Sequence, residues 1–188
     1  MGNLPCAVFF CIFSIESQKG GEVIMVREAS LKDLNAIEAM IKKVVLIMQK
    51  QNNPQWDQEY PARKDFQKDI EEGALYVWEE KEKIRGVMCV NFEQPDGYRA
   101  VKWIVDKKPA VIHRLAVDPE FRGRGIGKFL FSMAEEIAEK NGIRYIRTDT
   151  YRTNREMNGL MLKMGYCLAG HCRFPGKEGD FNCYEKLL

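Results

Sequence analysis

Residues 113–128 read His-Arg-Leu-Ala-Val-Asp-Pro-Glu-Phe-Arg-Gly-Arg-Gly-Ile-Gly-Lys. The apolar run 111–117 predicts a β-strand, which ends just before Pro119. Three glycines follow at alternate positions within 123–127, and apolar residues then recur at helical spacing over 126–137. Glycines let the backbone approach an anion closely, and the first N–H groups of a helix are free to bind it. The stretch therefore predicts a phosphate-binding loop between a strand and a helix.

Two common phosphate-binding patterns do not fit this loop. A P-loop would need glycine where the chain has Arg122, and serine or threonine where it has Phe129. The dinucleotide pattern Gly-x-Gly-x-x-Gly fails because the glycines here are separated by single residues. What the loop does match is Arg/Gln-x-x-Gly-x-Gly/Ala, with Arg122, Gly125 and Gly127.

A second motif lies about thirty residues further on. Thr153-Asn154-Arg155-Glu156 predicts a helix that opens with a capping box at Thr153. Leu160, Lys163, Gly165 and Tyr166 follow in the same segment. The segment 115–127 resembles the pyrophosphate motif of the GNAT superfamily of acetyl-CoA-dependent N-acetyltransferases. The segment 154–166 resembles the second signature of that superfamily.

The order of predicted elements agrees with this resemblance. Strands are predicted over 23–27, 75–78, 84–92, 111–117, 145–150, 166–170 and 181–187, and helices over 31–48, 63–71, 126–139 and 154–164. The fold class is α/β (α+β): a single GNAT-like domain with a mixed, mostly antiparallel central sheet and helices on both faces. At 188 residues and 45% hydrophobic content, one core is well supported.

Composition excludes several other classes of protein. A net charge of +2 and the lack of helix-turn-helix spacing disfavour a nucleic-acid partner. The apolar run 4–15 is too short to span a membrane and lacks the features of a signal peptide. Six cysteines without a Cys-x-x-Cys pair favour reduced thiols in a cytoplasmic protein and predict no metal site.

Residues 1–24 have a separate explanation. Lys19-Gly20-Gly21 can be encoded by AAA-GGA-GGN, which resembles a bacterial ribosome-binding sequence, and it lies three codons before Met25. We therefore expect residues 1–24 to be a translated leader and residues 25–188 to be the N-acetyltransferase domain. Sequencing the N-terminus of the protein from its native host tests this expectation.

The resemblance implies acetyl-CoA as co-substrate and assigns contacts to it. The backbone of Leu115, Ala116 and Val117 would pair with the pantetheine arm, where the sheet opens locally between the strands at 111–117 and 143–150. The pyrophosphate would lie on the N–H groups of the loop, which comprises Arg122, Gly123, Arg124, Gly125, Ile126, Gly127 and Lys128. Asn154 matches an asparagine that contacts the pantetheine or holds the adjacent loop; the alternative is a helix-start residue alone.

The attacking amine must first lose a proton, since an alkylammonium has a pKa near 10.4. His113 is the candidate base, because the strand period of two places it on the face of Leu115 and because arylalkylamine N-acetyltransferases carry a histidine here. A histidine packed on the sheet is the structural alternative. Glu28, Glu93 and Asp149 are weaker candidates without positional support.

The candidate general acid departs from the family pattern. The family has tyrosine where this chain has Met161, and methionine cannot donate a proton. Tyr151 and Tyr184 are weak candidate acids, or the thiolate leaves without help.

The sequence thus predicts acetyl transfer to a primary amine of a small molecule or peptide, by direct attack in a ternary complex. The alternative is a non-catalytic CoA- or acyl-CoA-binding module of the same fold, and a homodimer is left open. Trp56, Tyr60, Trp103 and Phe174 are candidates for the acceptor side, but the sequence does not identify the acceptor amine.

Overall fold

The computed structural model describes residues 14–19 and 22–188. Within them, one sheet contains the strands β1 Ser14–Lys19, β2 Glu22–Glu28, β3 Leu75–Glu80, β4 Lys83–Asn91, β5 Ala110–Val117, β6 Tyr145–Tyr151, β7 Cys167–Cys172 and β8 Phe181–Leu187. The same residues form the helices α1 Leu34–Lys50, α2 Arg63–Glu71, α3 Ile126–Lys140 and α4 Arg155–Lys163. These bounds lie within a few residues of the predicted elements, β1 excepted.

The sheet is mixed and mostly antiparallel, as predicted. Its strand order is β1-β2-β3-β4-β5-β6-β8-β7. Among the described strands, β5 and β6 form the one parallel pair, with α3 as the crossover between them. The pairing of β5 with β6 is also short, since it extends over only three residues of each strand, from Ala110↔Ile146 to Ile112↔Thr148.

Helices cover both faces of the sheet and define two main cores. The first core contains α3 and α4 residues such as Leu130 and Met161, packed on Met88 and Ile146. The second core lies under α1 and contains Ile37, Val44, Phe66, Leu75 and Val77 among others. Both helices α1 and α3 carry the apolar stripe expected of a helix packed on a sheet. The fold class predicted from the sequence is confirmed.

The strand β1 was not predicted. It pairs antiparallel with β2 from Ser14↔Arg27 to Lys19↔Glu22, inside the segment expected to be a translated leader. The expected leader also contains residues 1–13, 20 and 21, which lie outside the described residues. The leader, and with it the boundary at residue 25, stays a prediction.

The start of α4 corrects one predicted cap. The capping residue is Asn154, whose Oδ1 accepts a hydrogen bond from the Met157 N–H at 3.2 Å. Thr153, predicted as the cap, therefore lies one residue outside the helix. Asparagine and threonine both cap well, so the sequence alone did not distinguish them.

In the part of the chain that the structure describes, no helix is long and apolar enough to cross a bilayer.

Candidate active site

The central feature of the site is a gap between β5 and β6. The two strands pair only from Ala110↔Ile146 to Ile112↔Thr148. At the last pair, Thr148 Oγ1 donates a hydrogen bond to the Ile112 carbonyl at 3.1 Å. Beyond it β5 continues to Val117 along β4, while β6 continues along β8. The predicted local opening of the sheet is therefore present, and it exposes the inner edge of Leu115, Ala116 and Val117.

A cleft of about 890 Å³ passes through this gap. Val44 and Met48 of α1 line it from one face of the sheet, and Phe131 and Met161 line it from the other. Its walls also include most of the predicted loop and strand residues, namely His113, Leu115, Ala116, Val117, Arg122, Gly123, Gly125, Ile126, Gly127, Lys128 and Asn154. A volume of this size is in the range of cavities that hold drug-sized ligands.

The glycine loop has the geometry of an anion cradle. Gly123 and Gly125 have φ values of 76° and 87°, a backbone conformation that favours glycine. A Cβ added at either residue would meet nothing within 4 Å, so the backbone faces open space. Gly125 directly precedes α3, a 15-residue helix whose first N–H groups point into the same space.

The charged residues of the loop divide between the cleft and the outer surface. Arg122 lines the cleft and lies 3.4 Å from Glu156 Oε2, while Lys128 is exposed at its edge. Arg124 does not line the cleft: its guanidinium carbon stacks 4.4 Å from the centroid of the Phe121 ring. The Arg124 side chain thus lies on the outside of the loop, between Phe121 and Glu80, rather than in the cleft.

The regular alternation of side chains along β5 is broken at Arg114. Arg114 has a φ of 48°, and the β4–β5 register shifts between Val87 and Cys89 at this point. The irregularity turns the Arg114 side chain toward α2, where its Nε and Nη2 each donate to the Asp69 carboxylate at 2.6 Å. Such a strained residue is maintained by its surroundings and often lies at a functional site.

The bulge also corrects the predicted placement of His113. Leu115 packs against the core under α3, whereas His113 is opposite Cys89, a member of the core under α1. The two residues therefore lie on opposite faces of the sheet, because the bulge at Arg114 shifts the alternation by one. His113 nevertheless lines the cleft, because the cleft passes through the sheet.

The His113 imidazole is held as a neutral hydrogen-bond donor. Its Nε2 lies 3.0 Å from Asn91 Oδ1 and 3.1 Å from the Glu93 carbonyl oxygen. A carbonyl can only accept, so Nε2 carries the hydrogen and Nδ1 the lone pair. Burial, together with the neighbouring Arg114 charge, lowers the pKa of His113 to about 3.

The Asp149 carboxylate lines the cleft where β5 and β6 separate. Asp149 follows Thr148, the last β6 residue that pairs with β5. Its Oδ1 accepts a hydrogen bond from the buried Tyr98 hydroxyl at 2.8 Å. Burial raises the pKa of Asp149 to about 6, although the bond from Tyr98 acts to lower it. Of the three weaker candidate bases, Asp149 lines the cleft, whereas Glu28 and Glu93 do not.

Aromatic rings surround this end of the cleft. Trp56, Tyr60, Phe174 and Phe181 line it, as predicted for the first three. Trp103, also predicted there, instead donates from Nε1 to the Tyr98 carbonyl and stacks on Arg147, outside the cleft.

Two loops meet over the aromatic end of the cleft. Gln55 Oε1 accepts hydrogen bonds from the Tyr151 N–H at 3.1 Å and from Thr150 Oγ1 at 3.2 Å. Lys177 forms an ion pair with Asp57, which holds the pKa of that carboxyl below its usual range. The sequence offered no signal for these contacts, since they join residues about one hundred positions apart.

The candidate general acids lie elsewhere. Tyr184 donates from its hydroxyl to Asn158 Oδ1 at 2.7 Å, and Tyr151 packs edge-on against Phe181. Neither tyrosine lines the cleft. Met161 lines it and is also packed in the core under α3. Asn154, besides capping α4, donates from Nδ2 to Thr150 Oγ1 at 3.1 Å.

Comparison with known proteins agrees with this geometry. Residues 41–166 match the family model described as acetyltransferase (GNAT) family, and the chain belongs to that family. It is 23% identical over 186 residues to an uncharacterized N-acetyltransferase of Bacillus subtilis, YesJ, covering 94% of this chain and 97% of that protein.

Two further relatives support the same conclusion. A 64-residue stretch is 45% identical to an uncharacterized N-acetyltransferase of Methanocaldococcus jannaschii, covering 31% of this chain but only 28% of that protein. A crystal structure of a GNAT-family acetyltransferase from Streptococcus agalactiae has a TM-score of 0.77 and 26% identity, with 88% of this chain and 95% of that chain covered. The fold and the general activity, acetyl transfer, are those of the family.

Proposed function

We propose that this protein transfers an acetyl group from acetyl-CoA to a primary amine of a small molecule or peptide, by direct attack in a ternary complex. The observation that carries the proposal is the continuity of the cleft. It runs from the glycine loop, through the gap between β5 and β6, to an aromatic compartment that contains Asp149. A thioester and an amine held at the two ends can therefore meet inside the sheet.

The loop fits the pyrophosphate of acetyl-CoA. Open space beside Gly123 and Gly125, free N–H groups at the start of α3 and the Arg122 side chain provide a cradle for two phosphates. The inner edges of Leu115 and Val117 can pair with an amide-containing arm in the manner of an added strand. When bound, acetyl-CoA supplies an activated acyl group as a thioester.

The residues at the gap must make the amine nucleophilic. An alkylammonium has to lose a proton before its nitrogen can form the new C–N bond while the C–S bond breaks. With a pKa of about 3, the His113 imidazole is a weak acceptor for that proton. Its neutral Nε2–H instead holds Asn91 and the Glu93 carbonyl, which fixes the backbone at the end of β4. His113 as base stays a prediction, tested below.

The departing sulfur has no hydroxyl donor at position 161. Met161 cannot donate a proton, and Tyr151 and Tyr184 lie outside the cleft. We propose that the thiolate, whose ordinary pKa is near 8.5, leaves without a side-chain acid and is protonated by the amine-derived proton or by water. The same missing hydroxyl is the argument for the alternative, a non-catalytic acyl-CoA-binding module.

We propose a cytoplasmic location in a bacterial cell. Cys89, Cys167, Cys172 and Cys183 are free thiols, as expected in a reducing compartment. The homodimer stays a prediction, because nothing in the described residues identifies an interface.

A binding assay and a turnover assay together test the proposed function. Acetyl-CoA at 100 times its Kd should stabilise the fold by roughly 2.7 kcal/mol, observed as a rise in Tm. A panel of primary amines should then release free thiol from acetyl-CoA at rates above the amine-free control. No Tm shift at millimolar acetyl-CoA contradicts the proposal outright. A Tm shift without thiol release from any amine favours the binding module.

A further inference from the structure

Asp149 differs in its partners from the poorly exposed aspartates that form ion pairs. Asp69 is paired with Arg114, Asp118 with Arg85 and Asp33 with Arg27. Among the described residues, no lysine or arginine forms an ion pair with Asp149; its partner is the neutral Tyr98 hydroxyl. Glu185 is likewise bound by neutral donors, the Tyr145 hydroxyl and the Ile104 N–H, but unlike Asp149 it does not line the cleft. A carboxylate removed from water without a cation is costly, and a cationic ligand would offset that cost.

Asp149 also lies at the gap where, under the proposed function, an acceptor nitrogen would meet the thioester. It is the first β6 residue beyond the last β5–β6 pair, so its side chain lines the cleft where the two strands separate. The thioester would enter the same gap from the side of the glycine loop. One carboxylate oxygen accepts from Tyr98, and the second remains available to a ligand.

The walls around Asp149 indicate what is attached to the nitrogen. Trp56, Tyr60, Phe174 and Phe181 line this compartment, and aromatic faces favour both cations and apolar groups. The hydroxyl or amide groups of a polar acceptor would lie against these rings without hydrogen-bond partners, which would weaken its binding. The compartment therefore suits an ammonium carried on an aromatic or extended apolar group.

We infer that Asp149 binds the ammonium of the acceptor and accepts its proton, and that the acceptor is a primary amine on an aromatic or extended apolar group. This inference rests on the proposed function and names the acceptor class for it. The ammonium gives one proton to Asp149, which passes it to solvent, and the nitrogen lone pair forms the C–N bond. As the C–S bond breaks, the nitrogen loses its second proton, which ends on the CoA sulfur.

The ionisable groups next to Asp149 remain neutral over the working pH range. Burial raises the pKa values of Tyr98 and Tyr60, and the hydrogen bond with Cys172, together with burial, raises that of the Cys183 thiol; all three groups interact with this carboxylate. Asp149, with a pKa of about 6, is then the group that titrates there between pH 5 and 8. Activity should accordingly fall on the acid side of pH 6 as the carboxylate becomes protonated.

The test compares Asp149→Asn with the matched control Asp106→Asn, an exposed aspartate on a surface loop. With 2-phenylethylamine at pH 7, Asp149→Asn should lower kcat/KM by about 10²–10⁴, and the control should stay within twofold of wild type. The acetyl-CoA-induced Tm shift should be unchanged in both variants. A loss below threefold in Asp149→Asn overturns the inference.

A second variant separates positioning from simple structural damage. Tyr98→Phe removes the hydrogen bond that lowers the pKa of Asp149, so the acid limb of kcat/KM should move to higher pH. A merely structural role for Tyr98 would lower activity equally at every pH, and that result contradicts the assignment. Ethanolamine should be at least tenfold poorer than 2-phenylethylamine, and the reverse order overturns the acceptor class.

Equilibrium binding tests the role of Asp149 independently of whether the proposed acetyl transfer is observed. With CoA present and no turnover possible, calorimetry should show 2-phenylethylamine binding at least tenfold more weakly to Asp149→Asn than to wild type. The neutral isostere 2-phenylethanol should not discriminate between the two proteins. Equal binding of the amine to both proteins contradicts the inference, even if wild type proves to be an active acetyltransferase.

Discussion

At the scale of single residues, the poorly exposed ionisable groups His113 and Asp149 affect the stability of the fold in opposite ways as the pH changes. The pKa of His113 is lowered to about 3, and that of Asp149 is raised to about 6, in both cases mainly by burial. Each shift is a statement about stability, because folding changes the number of bound protons. The pH dependence of unfolding should therefore report on each group separately.

For His113, the folded protein binds fewer protons than the unfolded chain between pH 3 and 6.5. The contribution of His113 to stability is thus complete above about pH 6.5 and is lost as the pH falls toward 3. We expect His113→Gln to flatten the fall in the free energy of unfolding between pH 7 and 4.5, measured by urea denaturation. If His113 is instead the catalytic base, the variant should lose about 10²–10⁴ in kcat/KM, less at high pH.

For Asp149 the sign is reversed. The folded protein binds more protons than the unfolded chain between about pH 4 and 6, so the contribution to stability is greatest at low pH and is lost as the pH rises through 6. Asp149→Asn should therefore be more stable than wild type at pH 8, by about 1–3 kcal/mol. An unchanged or lower Tm at pH 8 would contradict the view that the carboxylate is held there at a cost.

At the scale of structural elements, the role of the glycine loop in ligand binding can be distinguished from the effect of its positive φ angles on stability. Gly125 and Gly142 precede and follow α3 with φ values of 87° and 73°, and a Cβ at either meets nothing within 4 Å. Alanine at each should cost a similar amount, about 1 kcal/mol. Only Gly125→Ala should weaken acetyl-CoA binding, measured as a smaller Tm shift, because only that loop faces the cleft. An equal ligand-induced Tm shift in both variants would contradict a role for the loop in acetyl-CoA binding and would leave it only a structural turn.

The bulged strand β5 depends on one ion pair beneath it. Arg114 is 13% exposed and Asp69 only 2%, and two 2.6 Å hydrogen bonds join them. Asp69→Ala leaves the guanidinium without its partner, so we expect a loss of about 3–5 kcal/mol in the free energy of unfolding. The control Asp96→Ala breaks an exposed pair with Arg99 and should change stability by less than about 1 kcal/mol. Similar losses in the two variants would contradict this account of the bulge.

At the scale of the whole molecule, the elements were predictable because their signals are local. The stripe of α1, the turn before α3 and the alternation of β8 each lie within a short window of sequence. The loop 122–128 could also be predicted from the sequence, because the positive φ angles of Gly123 and Gly125 are a local backbone requirement. The family resemblance added the local opening between the strands at 111–117 and 143–150, which no local pattern contains.

The site itself was less predictable, because it is built by contacts between distant segments. The bulge at Arg114 depends on Asp69, 45 residues away, and it invalidated the strand-alternation argument for His113. Asp149 had no positional support in the sequence, since its environment comes from Tyr98, 51 residues away. Tyr151 and Tyr184 were named for their chemistry alone, and neither lines the cleft.

The passage of the cleft through the sheet has a kinetic consequence. Residues of α1 line it on one face and residues of α3 and α4 on the other, so two small molecules can arrive from opposite directions. Neither has to depart before its neighbour is admitted, and addition can occur in random order. Spent CoA should therefore act as a noncompetitive product inhibitor against the amine, while remaining competitive against acetyl-CoA.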